Sequence, residues 1–458
     1  MALTDSRGVP VSTGNRASLD ALEQATTLLL GYFNDPLAVI EGAIAADPGF
    51  VMGHCFRAGL MALATDKGAE PALAESVAAA EGLWSSANER ERGHIRAARA
   101  WLDGNFDRSI ALYGDILVDQ PRDVLALQIA HVGDFFLGQS SLLRDRVARV
   151  LPDWNESVPG MSYVLGMHAF GLEEMGDYRR AEERGRRALA IEPRDPWAVH
   201  AVAHVMEMEG RLGDGIAWLE GRRQDWAPDN GFAFHNWWHL ALYHLDRGDH
   251  ETVLRLYDSA IRPGRSQLPL EMLDATALLW RLELRGGDAG NRWAELADAW
   301  EAKAEDAYYV FNDMHAMMAF VAEGRVDAAA RLLAAQERRA EAGGANAMMV
   351  RDVGLPVCRA INAFGRGDYR TAVELLLPVR PIAHRFGGSH AQRDVLSLTL
   401  LEAAIRGGQG RLARALAAER TDLKPTSPFN WRLAARANAA AGDAMGAAAA
   451  EARAASLG

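Results

Sequence analysis

A glycine that recurs at intervals of 34 to 43 residues is the feature that most limits what this chain can fold into. Around many of these glycines a predicted helix ends, a Gly-Asp or similar turn follows, and a second amphipathic segment begins, as in EEMGDYRRAEERGRRALAIEPRDP. Glycine adopts the positive φ of such a turn freely, and Asp can cap the next helix through its side-chain oxygen. The recurring positions are Gly68, Gly104, Gly138, Gly176, Gly210, Gly248, Gly286, Gly324, Gly367, Gly408 and Gly442. The pattern predicts about eleven helix pairs.

The period and the residues at one helix position resemble the tetratricopeptide repeat, whose unit is about 34 residues long. That family places a small side chain seven residues before the turn glycine, where two helices approach closely. Alanine stands there in six repeats: Ala97, Ala169, Ala203, Ala241, Ala360 and Ala435. Apolar residues make up 49% of the chain and only 17 residues are proline, which suits a helical protein with an ample core. The resemblance implies an all-α fold, a right-handed α–α superhelix of the tetratricopeptide-repeat-like solenoid type.

Longer segments are similar to the tetratricopeptide repeat protein 38 family. These segments are FVMGHC (51–56), NERERGHIRAARAWLDGNFDRSIALYGDILVDQPRDVLAL (88–127), DPWAVHAVAHVMEM (195–208), FHNWWHLALYH (234–244), FNDMH (311–315), RDVGLP (351–356) and AQRDV (391–395). The likeness runs through nearly the whole chain. It implies one continuous solenoid over 1–458, with an N-terminal arm at 1–20 and helix pairs over 21–458, and it supplies no mechanism.

Charge and cysteine content bound the class of partner and the compartment. The net charge of −12 argues against a nucleic-acid partner, because no basic excess is present to release counterions from phosphates. The two cysteines, Cys55 and Cys358, lie too far apart in sequence for a metal knuckle and indicate no disulfide framework. No signal-peptide pattern and no run of about 20 apolar residues is present. We therefore expect a cytoplasmic protein with no membrane partner.

Two histidine pairs lie on consecutive predicted first helices, the helices that line the concave face in such arrays. His200 and His204 in HAVAHVME are about one helical turn apart, and Glu207 extends the same face. His235 and His239 in HNWWH form the second pair. Parallel helices in contact lie about 8–10 Å apart, so side chains from both can meet on one ion or substrate.

The chemistry of these five side chains suggests roles for them in one concave pocket. Imidazole and carboxylate are the usual ligands of zinc and non-haem iron and the usual acid–base groups at neutral pH. We predict His200, His204 and His239 as ligands of a divalent metal, zinc or iron, and Glu207 and His235 as catalytic groups. The alternative is that the pairs are satisfied polar groups of a helical core. The His-Glu-x-x-His signature of zinc peptidases is absent from the sequence.

Other polar residues at groove positions are weaker candidates. Asp313 is predicted to be a third catalytic group, which orients an imidazole or holds a substrate amine, although Asp at a helix start is also a common cap. Glu173, His168, Trp238 and His315 are predicted to bind substrate. For Trp238 the alternative is packing in the repeat core.

Two arginines and two further histidines complete the candidates. Arg351 in RDVG and Arg393 in QRDV could clamp a substrate carboxylate, or could form salt bridges between repeats. His54 and His131 are predicted to be buried or inward-facing groups that orient the main cluster. His131 stands where the repeat wants a small residue, so a satisfied core histidine is the alternative.

Two classes of function remain open. In the first, the concave pocket binds and acts on a small polar molecule, as a metal-dependent hydrolase or lyase. In the second, the chain is a non-catalytic scaffold that binds a partner peptide or protein in its groove. Peptide-carboxylate grooves usually carry Lys, Arg and Asn, whereas this groove offers His, Trp and Glu, which favours the small-molecule reading.

Overall fold

The computed structural model describes residues 3–457, which are almost wholly α-helical. The helices, in chain order, are α1 (Arg16–Leu30), α2 (Pro36–Ala46), α3 (Val51–Leu63), α4 (Glu70–Gly82), α5 (Glu89–Leu102), α6 (Phe106–Asp119), α7 (Val124–Phe136), α8 (Ser140–Val150), α9 (Met161–Glu174), α10 (Tyr178–Ile191), α11 (Pro196–Met208), α12 (Leu212–Gly221), α13 (Arg223–Trp226), α14 (Ala233–Arg247), α15 (His250–Leu256), α16 (Pro269–Leu284), α17 (Arg292–Glu301), α18 (Val310–Ala322), α19 (Val326–Ala340), α20 (Ala345–Met349), α21 (Leu355–Gly365), α22 (Tyr369–Val379), α23 (His390–Arg406), α24 (Gly410–Leu423), α25 (Pro428–Ala440) and α26 (Ala444–Ala455). Short 3₁₀ segments (Lys67–Ala69, Leu151–Asp153 and Arg380–Phe386) and two π-helical segments (Tyr257–Ile261 and Val350–Gly354) adjoin them. The all-α, repeat-like fold predicted from the sequence is confirmed.

The turn glycines act as the spacing predicts. All of them except Gly68 have φ between +66° and +85°, the left-handed region that side chains with a Cβ rarely adopt. Gly68 instead lies inside the 3₁₀ segment Lys67–Ala69, where its N–H donates to Asp66 Oδ1 (3.0 Å). The repeat period therefore marks the joints between successive helices.

Close helix packing explains the small residues of the repeat. Tyr243 of α14 lies directly over Gly215 of α12, where an added Cβ would come within 2.2 Å of the ring. The Tyr243 hydroxyl donates to the backbone carbonyl of Ala203 on α11 (2.5 Å). The alanines predicted at helix crossings, including Ala203, are buried. Glycine and alanine, the smallest residues, let neighbouring helices touch at these positions.

Contacts divide the chain into two compact units. The first contains residues 3–202, 222–233 and 344–346. The second contains residues 203–221, 234–343 and 347–457. In the sequence, the division falls inside α11, after Val202.

The first unit begins with a small strand pair in the segment that we expected to be an arm. Strands β1 (Leu3–Thr4) and β2 (Pro10–Val11) pair antiparallel. The turn between them is held by Asp5, whose Oδ1 accepts from the N–H groups of Arg7 (2.9 Å) and Val9 (2.8 Å). Helix α1 begins at Arg16, so part of the predicted 1–20 arm is folded, while positions 1 and 2 lie outside the described residues.

Hydrogen bonds join the first and last parts of the second unit. Thr426 Oγ1, just before α25, donates to the carbonyl of Gly210 (3.1 Å). Ser427 Oγ donates to Asp246 Oδ2 (2.9 Å). The first and last hairpins of this unit therefore touch. None of the helices formed by residues 3–457 combines the length and apolarity that a membrane crossing demands.

Candidate metal centre

Helix α14 carries the second histidine pair inside an aromatic-rich turn. His235 and His239 are four residues apart, so their rings lie on one side of the helix. Trp238 between them is fully buried and stacks on His235, with ring centroids 5.3 Å apart and an angle of 14° between the planes. His239 is also fully buried, and His235 is 8% exposed.

The two rings of α14 face each other through Nε2 and are held from behind by carboxylates. The Nε2 atoms of His235 and His239 are 3.3 Å apart. Asp274 Oδ2 lies 2.5 Å from His235 Nδ1, and Glu207 Oε2 lies 3.0 Å from His239 Nδ1. A carboxylate at Nδ1 places the proton on that nitrogen, so each Nε2 offers a lone pair. Two lone pairs aimed at each other are suited to sharing a cation.

His204 on α11 supplies a third imidazole. Its ring centroid is 4.4 Å from that of His239, and it is fully buried. One nitrogen from each of His204, His235 and His239 lies within 4.8 Å of the other two. Burial, together with the nearby His204 and His235, holds the pKa of His239 well below its usual value, so this ring is neutral at physiological pH. Neutral imidazole is the form that binds metal.

The spacing of the nitrogens matches a tetrahedral metal. Imidazole nitrogens lie roughly 2.0–2.1 Å from zinc, so two of them in a tetrahedral site are about 3.3 Å apart. The carboxylate behind each ring is the arrangement that fixes ring orientation and raises ligand basicity in zinc–histidine sites. The donor set therefore fits zinc or a similar divalent ion. Glu207 and His235, which we predicted to be catalytic, both contact His239, and their catalytic role is untested.

Asp274 is a member of this centre that the sequence reasoning missed. It lies in α16, is buried, and is 39 residues from His235 in sequence. The available signal was a lone acid in the otherwise apolar stretch LDATALLW, 12 residues before Gly286. Such an acid needs a hydrogen-bonding partner when buried.

His200, the remaining predicted ligand, belongs to the first unit. It lies one turn before His204 on α11 and is buried among the rings of Phe170, Trp197 and Phe232, at centroid distances of 5.2, 5.0 and 5.2 Å. Its role as a metal ligand stays a prediction.

Other predicted histidines and acids of the first unit are also buried. His131 lies at the edges of two aromatic rings, and burial lowers its pKa to about 3. His54 Nε2 is 3.0 Å from the carbonyl of Pro48. In α9, Glu173 and His168 are buried, and burial lowers the pKa of His168 to about 4. The substrate-binding role that we predict for Glu173 and His168 is untested.

In the second unit, the FNDMH segment forms the start of α18. Asp313 accepts a hydrogen bond from Gln336 Nε2 (3.2 Å), and burial raises the pKa of Asp313 to about 7. His315 Nδ1 is 2.8 Å from the carbonyl of Phe311, and burial lowers the pKa of His315 to about 3. These contacts hold both side chains within the helical packing around α18, and their predicted roles toward substrate are untested.

The two arginines make contacts that do not involve the histidines. Arg351 pairs with its neighbour Asp352 (3.4 Å), and its side chain is 56% exposed. Arg393 donates to the backbone carbonyls of Gly387 and Gly388. The partner of Arg351 is its sequence neighbour rather than a residue of another repeat, and the substrate-clamp role predicted for both arginines is untested.

Comparison with known proteins gives only distant likenesses. No protein-family model matches the chain. A structure of the human IFIT1 dimer with m7Gppp-AAAA is 14% identical with a TM-score of 0.39, over 96% of this chain and 99% of that one. A structure of Naa15/Naa10 bound to HypK-THB is 15% identical with a TM-score of 0.23, over 96% of this chain and 63% of that one. A monomeric IFIT1 mutant with Gppp-AAAA is 13% identical with a TM-score of 0.28, over 96% and 100%. Likenesses at this level carry no argument about function.

Proposed function

We propose that the second unit binds one divalent transition metal, zinc or iron, through His204, His235 and His239. Glu207 and Asp274 orient the rings. The observation that carries this proposal is the 3.3 Å separation of two Nε2 atoms whose opposite ring nitrogens both meet carboxylates. In a core hydrogen bond an acceptor nitrogen faces a donor, whereas this arrangement points two acceptor lone pairs at one position.

The same site would act on a small polar molecule as a metal-dependent hydrolase or lyase. A metal of this class supplies Lewis-acid polarisation of a bound carbonyl or phosphoryl oxygen. The protein supplies the dry surroundings, because Trp238 and the ligand rings are buried and strengthen electrostatic interactions there. His235 is the least buried of the three ligands, so a small molecule approaches from its side.

A partner-binding scaffold is the second candidate, and the repeat architecture itself supports it. Helical hairpin arrays commonly present grooves to peptides or helices. The histidine centre does not serve that role, because a partner chain cannot reach side chains that are fully buried. We also propose, on the segments quoted above, membership of the tetratricopeptide repeat protein 38 family and a cytoplasmic role without nucleic acid.

A zinc titration against a coloured chelator tests the metal site. We expect the chain to withdraw one equivalent of zinc, and His204→Ala and His239→Ala to withdraw none. His315→Ala is the matched control, because His315 is a buried histidine of the same unit that contacts a backbone carbonyl. If His204→Ala and His239→Ala bind zinc as the parent chain does, the proposal is wrong. If no form binds zinc or Fe²⁺, the scaffold function is the better account.

A further inference from the structure

A small charged cavity lies beside the histidine centre, inside the second unit. Its volume is about 40 Å³, which holds about three water-sized groups. Glu207 lines it with Oε1 3.7 Å from Lys424 Nζ, while Oε2 of the same carboxylate faces His239. Glu207 therefore belongs both to the lining of the cavity and to the histidine centre. Its charged lining residues are Glu207, Asp246, Asp394, Arg281, Arg285, Arg420 and Lys424.

Each of the three acids already has a basic partner. Arg420 holds Asp394 through two hydrogen bonds of 2.5 and 3.1 Å. Asp246 Oδ1 lies 3.3 Å from Arg285 Nη1, and Glu207 pairs with Lys424. Four cations thus face three carboxylates, and the cation left over is Arg281.

Arg281 is a buried charge whose hydrogen bonds all go to neutral acceptors, while the carboxylates of Asp394, Glu207 and Asp274 act on it only from a longer distance. It is 2% exposed and donates to the backbone carbonyls of Ala391 (2.6 Å), Gln392 (3.0 Å) and Ala277 (3.2 Å). Among residues 3–457, no carboxylate lies within ion-pair distance of its guanidinium. Burial lowers the pKa of Arg281 to about 10, which still leaves it charged at neutral pH. A buried charge is costly without a counter-charge.

Arg285 is a second arginine that lines the cavity. Its guanidinium stacks on Phe429, with its central carbon 3.5 Å from the ring centroid. Arg285 Nη1 donates to the carbonyl of Leu245 (2.9 Å), whereas the buried Nε–H of Arg285 has no hydrogen-bond partner among the described residues. A buried N–H without a partner is rare in folded proteins.

We propose that this cavity binds a small monovalent carboxylate, held by Arg281 and Arg285. One negative charge balances the four cations against the three acids. The volume admits a group of the size of acetate, and guanidinium groups bind carboxylates through charged hydrogen bonds. The proposal does not rest on the metal, because His204, His235 and His239 are not among the residues that line the cavity.

Acetate titration of the full chain, followed by calorimetry and thermal unfolding, tests the proposal. We expect saturable binding of acetate that chloride at equal ionic strength does not reproduce, with and without prior chelator treatment. Arg281→Met should weaken acetate binding at least tenfold, the loss of one charged hydrogen-bonded contact. Arg262→Met is the control, because Arg262 is a buried arginine of this unit paired with Glu295 instead.

Each outcome of the acetate titration either supports the proposed site or overturns it. The site is supported by acetate binding that Arg281→Met weakens and Arg262→Met preserves. Arg281→Lys, which keeps the charge, serves as the substitute if Arg281→Met does not fold, and it should weaken binding because an ammonium group cannot donate to the backbone carbonyls and the ligand from the same fixed plane. No saturable acetate binding by the parent chain overturns the proposal. So does binding that vanishes with chelator, since the carboxylate would then sit on the metal, and so does inorganic phosphate binding as tightly as acetate.

Discussion

Each unit contains histidines held by carboxylates, and the two arrangements differ in what faces the other side of the pair. In the first unit, Asp123 Oδ2 lies 2.7 Å from His94 Nε2 and 2.6 Å from Arg90 Nε. In the second, His235 and His239 each have a carboxylate at Nδ1 and turn their Nε2 edges toward each other. A carboxylate that already neutralises a guanidinium forms a structural ion pair. Two carboxylate-backed rings aimed at one point fit the ligand set that we propose.

Burial alone does not separate the two cases. His94, His204 and His239 are all fully buried. The distinction lies in geometry, because His94 shares its carboxylate with Arg90, whereas His235 and His239 each have a carboxylate at Nδ1 and bring their Nε2 atoms together, even though Lys424 also pairs with Glu207. The comparison predicts that replacing a carboxylate beside a histidine lowers stability in the first unit and lowers affinity for metal in the second.

The largest expected effect is on the stability of the first unit. Asp123→Ala removes the carboxylate that holds Arg90 and His94 and that caps α7 at Ala126 N (3.0 Å). A buried charge left without its partner costs about 3–5 kcal/mol. Denaturant unfolding should show this loss, and zinc binding should not change. Reduced zinc binding by a folded Asp123→Ala chain would break the comparison.

The same pair sets a pH dependence. Burial would raise the pKa of Asp123, but the charges of Arg90 and His94 outweigh it and hold the pKa well below its usual value. The unfolded chain therefore binds this proton more readily, so the stabilisation is present above about pH 4 and is lost as the pH falls. Asp123→Asn should flatten the acid limb of the stability curve. An unchanged acid limb would contradict the assignment.

In the second unit, the carboxylates should control affinity for metal. Asp274→Asn and Glu207→Gln keep the size of the side chain and remove its charge. We expect zinc affinity to fall about 10- to 100-fold for each, the usual cost of losing a partner behind a ligand. Competition against a chelator of known affinity measures this. Wild-type affinity in both variants would show that these acids do not serve the histidines.

His131 of the first unit lies among aromatic rings, and its burial should make the stability of the chain depend on pH. Burial, and to a lesser degree Arg146, lowers the pKa of His131 to about 3, so the unfolded chain takes up its proton first as the pH falls. Stability is present above about pH 6.5 and is lost below it. His131→Leu should reduce the loss of stability between pH 8 and pH 5 by about 2 kcal/mol. An identical pH profile would show that His131 stays accessible to protons.

The smallest expected effect is at an exposed ion pair. Arg351→Ala removes the contact with Asp352 on the surface of the second unit. Exposed pairs contribute about 0–1 kcal/mol, so stability should change little and zinc binding not at all. A large loss of activity on a substrate identified later would restore the clamp role predicted from the sequence.

Local features of the fold could be predicted from the sequence, and contacts made across long separations could not. The turn glycines act within single hairpins, so their spacing predicts the helix pairs and the register of His204, His235 and His239. Asp274 is 39 residues from its histidine, and the bonds from Arg281 to α23 span 110 and 111 residues. These partners depend on how the second unit closes on itself, through contacts such as Thr426 to Gly210, which periodicity does not encode.

Metal content is the most direct test of the central claim that the second unit is a metal-binding unit. The full chain should be purified without a histidine tag or chelator, and its zinc and iron measured per chain alongside His239→Ala and His315→Ala. The account predicts close to one metal ion in the parent chain and in His315→Ala, and a small fraction of that in His239→Ala. Equal metal content in all three, or none in the parent chain after growth with added metal, would contradict it.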